Sequence, residues 1–308
     1  MVAITSAGTS APSIVPPAVN QTADAAFRAY RAEWGALPST PGGTTGSVGA
    51  AATATVRSDP ASVHAHAQLA ADVYNDTASP PAGYRVATSA ELERLGLDPD
   101  QLDPATDAFR ARVYASDTPG EDFVIAFRGS QSGADWLSNA QQGIGLDSEH
   151  YARALEIGRA AARSDASFVM TGHSLGGGLA STAGIASGSP ADTFNAAGLH
   201  GDTIADATTI ATAAGRGSAS VDNYRVPNEI LTALQEGGDR VVGGILGTVV
   251  SGGWGGAAGV AIADLPEAYG TQHELPDVRP EGVNWFEGLN VIDRHSMDWV
   301  LAGTAALR

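Results

Sequence analysis

Phe168-Val-Met-Thr-Gly-His-Ser-Leu-Gly-Gly-Gly-Leu-Ala180 is the stretch on which the rest of the chain turns. Its opening run, Phe168 to Met170, is short and apolar, as a strand buried on both faces would be. The chain then passes through Gly172-His173-Ser174-Leu175-Gly176 into small residues that suit a helix. A strand that reverses into a helix over so few residues holds the apical side chain on a strained backbone. Any Cβ two positions to either side would collide there, so both flanks must be glycine. This is the G-x-S-x-G arrangement, with Ser174 as candidate nucleophile. In a chain with 38 glycines such a string arises by chance. The buried strand before it and the small-residue helix after it supply the context the chemistry requires.

Working outward, Phe123-Val-Ile-Ala-Phe127 is a second buried strand, running directly into Arg128-Gly129-Ser130. Half-buried alternation marks Phe109 to Ala115 as a strand. Thr193 to Gly198 and Val221 to Val226 follow as later strands. Helical spacing of Val63, Leu69, Ala70, Val73 and Tyr74 predicts a helix from Ser62. Thr88 and Glu91 form a capping box for a helix that stops near Gly96. Further helices are expected from Asp135, over 149–163, and over Trp299 to Leu307. Strands alternating with helices give an α/β fold, with a mainly parallel central sheet and helices on both faces. Ligands of such sheets gather at the carboxyl ends of the strands, where Ser130, Ser174 and the residues after Val226 lie.

Composition narrows the function classes. The 308 residues contain no cysteine, which removes disulfides and thiolate metal sites. The net charge is −17, and all seventeen basic residues are arginine. Such a balance argues against nucleic acid and against electrostatic docking on anionic membranes. Residues 1–60 are rich in Ala, Ser, Thr, Gly and Pro and bury too little apolar surface to fold alone; only Asp24 to Trp34 reads as helical. Residues 61–308 form the catalytic domain in this reading. His64 and His66 lie two apart, so on a helix they face different ways and share no metal. Residues 241–262 carry no charge but eight glycines, and read as a buried or cleft-lining insertion, with a lid or acyl-chain surface as its functional version. The N-terminus has neither the basic nor the apolar region of a standard secretory signal.

Phe127-Arg-Gly-Ser130, Asp135-Trp-Leu-Ser138 and Gly172-His-Ser-Leu-Gly-Gly177, in that order, resemble the class 3 lipases, the fungal-lipase-like branch of the α/β-hydrolases. The likeness extends over about residues 67 to 302, and Leu69-Ala-Ala-Asp-Val-Tyr74 and Asn223-Tyr-Arg-Val226 most resemble a bacterial subgroup of phospholipases and antibacterial lipase toxins. It implies an α/β-hydrolase fold, with Ser174 as nucleophile and the N–H groups of Leu175 and Ser130 as oxyanion donors. The family's acid follows a Tyr-Arg-Val strand, which puts it at Glu229, with Asp222, read as a solvent-facing residue within the strand, as the rival. The family's terminal histidine falls on His295. His273, read as a loop residue near the cleft, is the alternative, while His173 reads as a packing residue and His200 precedes the acid. The expected activity is lipolytic carboxylester hydrolysis, most specifically phospholipase A, with phospholipid or acyl-ester substrates and no cofactor or metal. Membrane-surface contact would come through 241–262, with Trp254 and Val249 touching lipid. Residence in a bacterial cytoplasm before export by a specialised secretion system, with a delivery or immunity protein as partner, follows from the toxin likeness. Soluble-ester hydrolysis, acyl transfer and a silent binding protein on the same fold are the competing readings.

Overall fold

Among the described residues, seven strands form one sheet in the order β1-β2-β3-β4-β5-β6-β7. The computed structural model describes residues 59–105, 107–130, 147–229, 231, 266–284 and 293–308. The strands are β1 (Tyr84–Val86), β2 (Ala111–Ser116), β3 (Phe123–Phe127), β4 (Phe168–His173), β5 (Ala191–Phe194), β6 (Val221–Arg225) and β7 (Thr271–Glu274). β1, β2 and β3 pair antiparallel, and β3 through β7 pair parallel. The sheet is thus mainly parallel, as the alternation of elements predicts.

Both faces are covered. Helix α1 (Pro60–Asp72) lies across β3, β4 and β5, and the C-terminal helix α7 (Met297–Ala305) packs on α1. The shorter α2 (Ser89–Leu95) and α3 (Pro99–Leu102) connect β1 to β2. On the opposite face lie α4 (Asp147–Arg163), α5 (Leu175–Ser187) and α6 (Gly201–Ala213). In β3 the side chains alternate between two cores despite being apolar throughout. Phe123, Ile125 and Phe127 join the core with α4 and α5. Val124 and Ala126 join Leu69 and Val73 at the end of α1. Period-two alternation with apolar residues at every position is what burial on both faces demands.

Several local expectations hold in detail. Thr88 and Glu91 make the reciprocal capping box, and Gly96 ends α2 in the left-handed region. His64 and His66 do diverge: His64 reaches Thr304 at 2.8 Å, while His66 is buried between two carboxylates. His66 Nδ1 meets Asp192 Oδ2 at 2.6 Å, and Nε2 meets Glu121 Oε2 at 2.8 Å. Burial opposes a charge on this ring. The two carboxylates outweigh that, raising its pKa to about 9. A protonated imidazole therefore ties α1 to β5 and to a residue just before β3.

Other expectations need correction. His273 is not a loop residue near the cleft but part of β7, the strand at the sheet's edge. Asp222 is largely buried rather than facing solvent. Helix α6, the strand β1 and the strand β7 were not legible in the sequence pattern. The helix expected from Asp135, the segment 1–58 and the insertion 241–262 with Trp254 and Val249 lie outside the described residues. Among the described residues no helix is long and apolar enough to cross a membrane, and no cluster of side chains is suited to a metal.

Candidate active site

Ser174 sits at the junction of β4 and α5 with φ 59° and ψ −127°. That backbone lies in a region that residues with a Cβ rarely adopt, at a cost on the order of 1–3 kcal/mol. The surroundings hold it there. Its N–H donates to the Phe194 carbonyl at 3.0 Å, and its own carbonyl accepts from Ala197 at 2.9 Å and Gly177 at 2.9 Å. The flanking glycines are required by close approach. A Cβ on Gly172 would fall on the Gly176 carbonyl, and one on Gly176 would fall on the Phe127 carbonyl at the end of β3. The elbow is therefore pressed against the neighbouring strand.

That contact brings the two candidate oxyanion residues together. β3 and β4 run parallel with Phe127 opposite Gly172, so Arg128, Gly129 and Ser130 continue beside His173 and Ser174. Leu175 is the first residue of α5, where the N–H groups have no intrahelical acceptor and the helix dipole is positive. The Gly129 N–H donates to the Tyr74 hydroxyl at 3.0 Å. With Gly129 engaged, Ser130 carries the next N–H along the strand end. Arg128 anchors that segment: its guanidinium donates to the Ala108 carbonyl at 2.7 Å.

The acid and base candidates separate into two pairs. His295 lies in a short 3-10 turn (Asp293–His295) just before α7, and its Nδ1 meets Glu229 Oε2 at 2.5 Å. Glu229 is fully buried, and the same oxygen accepts from the Leu231 N–H at 2.9 Å. Holding Nδ1 leaves Nε2 as the ring nitrogen for proton transfer. Arg294 fastens the two loops together. Its Nε donates to the Pro227 carbonyl at 2.8 Å, a second nitrogen reaches Asp277 at 2.6 Å, and its guanidinium lies 4.3 Å above the Trp299 ring centre.

Asp222 and His273, the rival acid and base, bond to each other instead, with Oδ1 and Nε2 at 2.5 Å. The register runs His173, Phe194, Tyr224, His273 across β4 to β7. At about 4.8 Å per strand spacing, Asp222 on β6 lies about 10 Å and His273 on β7 about 14 Å from the elbow strand. His295, by contrast, is at the elbow itself: its ring centre is 4.8 Å from that of His173.

His173 is more than packing. Its Nε2 meets the His295 main-chain carbonyl at 2.7 Å, and its Nδ1 meets the Tyr74 hydroxyl at 3.3 Å. Burial, followed by the neighbouring His295, pushes its pKa down to about 3, so the ring is neutral. Asn195, with φ 42°, adds a second contact: its amide nitrogen reaches the His295 carbonyl at 3.3 Å. Its amide oxygen accepts from the Val226 N–H at 2.8 Å. Sequence reasoning passed over Tyr74, Asn195 and Arg294. The available signals were their places: Tyr74 ends the α1 pattern, Asn195 follows a strand directly, and Arg294 adjoins His295.

A strained serine at a helix N-terminus, strand-end N–H groups beside it and a buried carboxylate–imidazole pair make a set suited to acyl transfer. Comparison with known proteins agrees with that chemistry. The profile of a phospholipase-like family, described as the Tle-like phospholipase domain, matches residues 65–281. The match contains Ser130, Ser174 and Glu229 and ends before His295. An extracellular phospholipase A1 from Serratia liquefaciens is 38% identical over 178 residues, covering 56% of this chain and 54% of that protein. The chain thus spans about half the length of that curated relative.

Proposed function

The chain belongs to the Tle-like phospholipase family, and on that premise we propose that it hydrolyses carboxylic esters of membrane phospholipids through Ser174, His295 and Glu229. The observation that carries the reading is the buried Glu229–His295 pair beside an elbow serine at φ 59°. In this mechanism Nε2 of His295 takes the Ser174 hydroxyl proton as Oγ attacks the ester carbonyl. The carbonyl oxygen becomes an oxyanion facing the N–H groups of Leu175 and Ser130. Collapse breaks the ester C–O bond, and the imidazolium gives its proton to the departing lysophospholipid alkoxide. Water, deprotonated by His295, then attacks the acyl-serine, releases the fatty acid and restores the serine. Glu229 keeps the ring in the Nδ1–H tautomer and stabilises the imidazolium in both halves.

The name of the Serratia relative supports cleavage at the sn-1 ester, and its description as extracellular supports action outside the cell that makes it. We carry both to this chain as part of the proposal. Delivery through a specialised secretion system and a cognate immunity protein complete it, on the toxin-like subgroup motifs. The insertion 241–262 is proposed as the lipid-contacting surface.

The test uses vesicles of a phospholipid with different acyl chains at its two positions, analysed by mass spectrometry. The protein should release the sn-1 fatty acid and a lysophospholipid in equal amounts, and a serine-directed phosphonate should label Ser174. No fatty-acid release, or full release by Ser174→Ala, would overturn the reading.

A further inference from the structure

The His295 carbonyl is held by two side chains that take no part in the proton transfers above. His173 reaches it at 2.7 Å from the end of β4, and Asn195 at 3.3 Å from the end of β5. We propose that His173 and Asn195 are positioning residues, which clamp the main chain of His295 so that its ring stands correctly between Ser174 and Glu229. The proposal rests on the triad reading and deepens it.

Directions of the hydrogen bonds follow from the groups themselves. A carbonyl only accepts, so His173 must carry its proton on Nε2. A ring this deeply buried stays neutral, so Nδ1 is an acceptor and the Tyr74 hydroxyl is its donor. The Tyr74 oxygen accepts from the Gly129 N–H. One directed chain therefore runs from Gly129 through Tyr74 and His173 to His295. It joins the strand end that carries Ser130 to the turn that carries the base. Asn195 is oriented just as strictly. The Val226 N–H needs an oxygen, so the amide nitrogen faces His295. Val226 in turn accepts from the Glu229 N–H through its carbonyl at 3.4 Å, so Asn195 reaches the acid loop as well.

The clamp has a mechanical reason. His295 sits in a single 3-10 turn, with no long element of its own to fix it. Side-chain hydrogen bonds from two central strands replace that missing rigidity. A displacement of about 1 Å at a reacting group costs on the order of 100-fold in rate.

The experiment compares purified full-length variants on a short soluble ester, with phosphonate labelling of Ser174 as a parallel readout. His173→Phe keeps an aromatic ring but no donor, and should lower kcat by about 10- to 100-fold with KM changed less than about twofold. His173→Gln restores an N–H near the Nε2 position and should return kcat to within about threefold, with an unchanged pH profile, because the ring it replaces is already neutral. Asn195→Asp keeps the Val226 acceptor and suits the left-handed backbone, yet removes the donor; it should also lower kcat selectively. In the wild-type protein, nitrogen-15 NMR should show His173 as a neutral Nε2–H tautomer. Should His173→Phe not fold, Asn195→Asp and the tautomer measurement decide. The proposal is overturned if folded His173→Phe or Asn195→Asp retains full kcat, if Gln gives no recovery, or if the Nδ1–H tautomer is found. Wild-type protein that neither hydrolyses the ester nor takes the phosphonate overturns the triad reading itself, which separates the two failures.

Discussion

Replacing Glu229 by Gln removes one charge and almost nothing else, so the expected loss can be worked out. A single oxygen, Oε2, accepts from both His295 Nδ1 and the Leu231 N–H. The amide oxygen of Gln can occupy that position and keep both bonds. In the proposed mechanism, what disappears is the attraction between the carboxylate and the imidazolium that forms as Ser174 gives up its proton. At about 4 Å and an effective dielectric constant of about 20, that attraction is about 4 kcal/mol. At 1.36 kcal/mol per decade this corresponds to a kcat roughly 1000-fold lower, with KM for a short soluble ester little changed. The assay is initial-rate hydrolysis of that ester, alongside a thermal melt that shows the variant folded. Asp222→Asn is the internal control: it neutralises a carboxylate that also holds a histidine at 2.5 Å, but on β6, two strands from the elbow strand. It should leave kcat within about threefold, as expected of a residue without transition-state contact. A Glu229→Gln enzyme with more than a tenth of normal kcat, or an inactive but folded Asp222→Asn enzyme, would refute the reasoning.

His295→Ala should be about as damaging as Ser174→Ala, because triad members act as a unit, while His273→Ala stays active; kcat for the soluble ester checks the ranking. Stability should fall as pH rises from about 6.5 through 9, since the folded pKa of His66 lies above its unfolded value and the stabilisation is complete only below the latter. A shift of this size corresponds to about 3 kcal/mol, and His66→Gln should flatten that limb in urea melts taken from pH 6 to 10. Trp254→Ala and Val249→Asp should weaken hydrolysis of phospholipid vesicles far more than hydrolysis of the soluble ester, with vesicle binding only weakly dependent on salt. Equal losses on both substrates would put these residues in the core or the cleft instead.

What was legible in the sequence is what short-range sterics and periodicity encode. The elbow was readable because glycine at 172 and 176 is dictated by backbone contact, and the buried strands because Phe123–Phe127 and Phe168–Met170 are apolar at every position. The capping box at Thr88 was readable for the same local reason. Helix α6 was missed because Thr, Asp and Ala dominate it and only Ala207, Ile210 and Ala211 are buried. β7 was missed because Thr-Gln-His-Glu is polar at every position and mostly exposed, at the end of the sheet among the described residues. The positioning groups were invisible for a different reason. Asn195 and His173 meet His295 across 100 and 122 residues of chain, and Tyr74 meets His173 across 99. No local pattern marks such meetings.

The two acid–imidazole pairs show why contact geometry alone does not identify a catalytic site. Both have a nitrogen–oxygen separation of 2.5 Å. They differ in their surroundings. The side chains of Glu229 and His295 are 0% and 6% exposed, so the carboxylate acts on the ring in a medium that screens it little. Those of Asp222 and His273 are 13% and 19% exposed, and the His273 ring is stacked on Tyr224 at 5.0 Å. A paired, partly solvated charge on an outer strand serves the fold, since it fixes β7 to β6 and makes the edge unattractive to another chain. The sheet order then completes the distinction. Among the described residues, the ends of β3 and β5, the Glu229 loop after β6 and the turn before α7 converge where β4 gives way to α5, at a helix N-terminus suited to negative charge. The proposed chemistry at Ser174 follows from that convergence, and the second pair, equally close in its own contact, lies too far from the elbow serine to serve it.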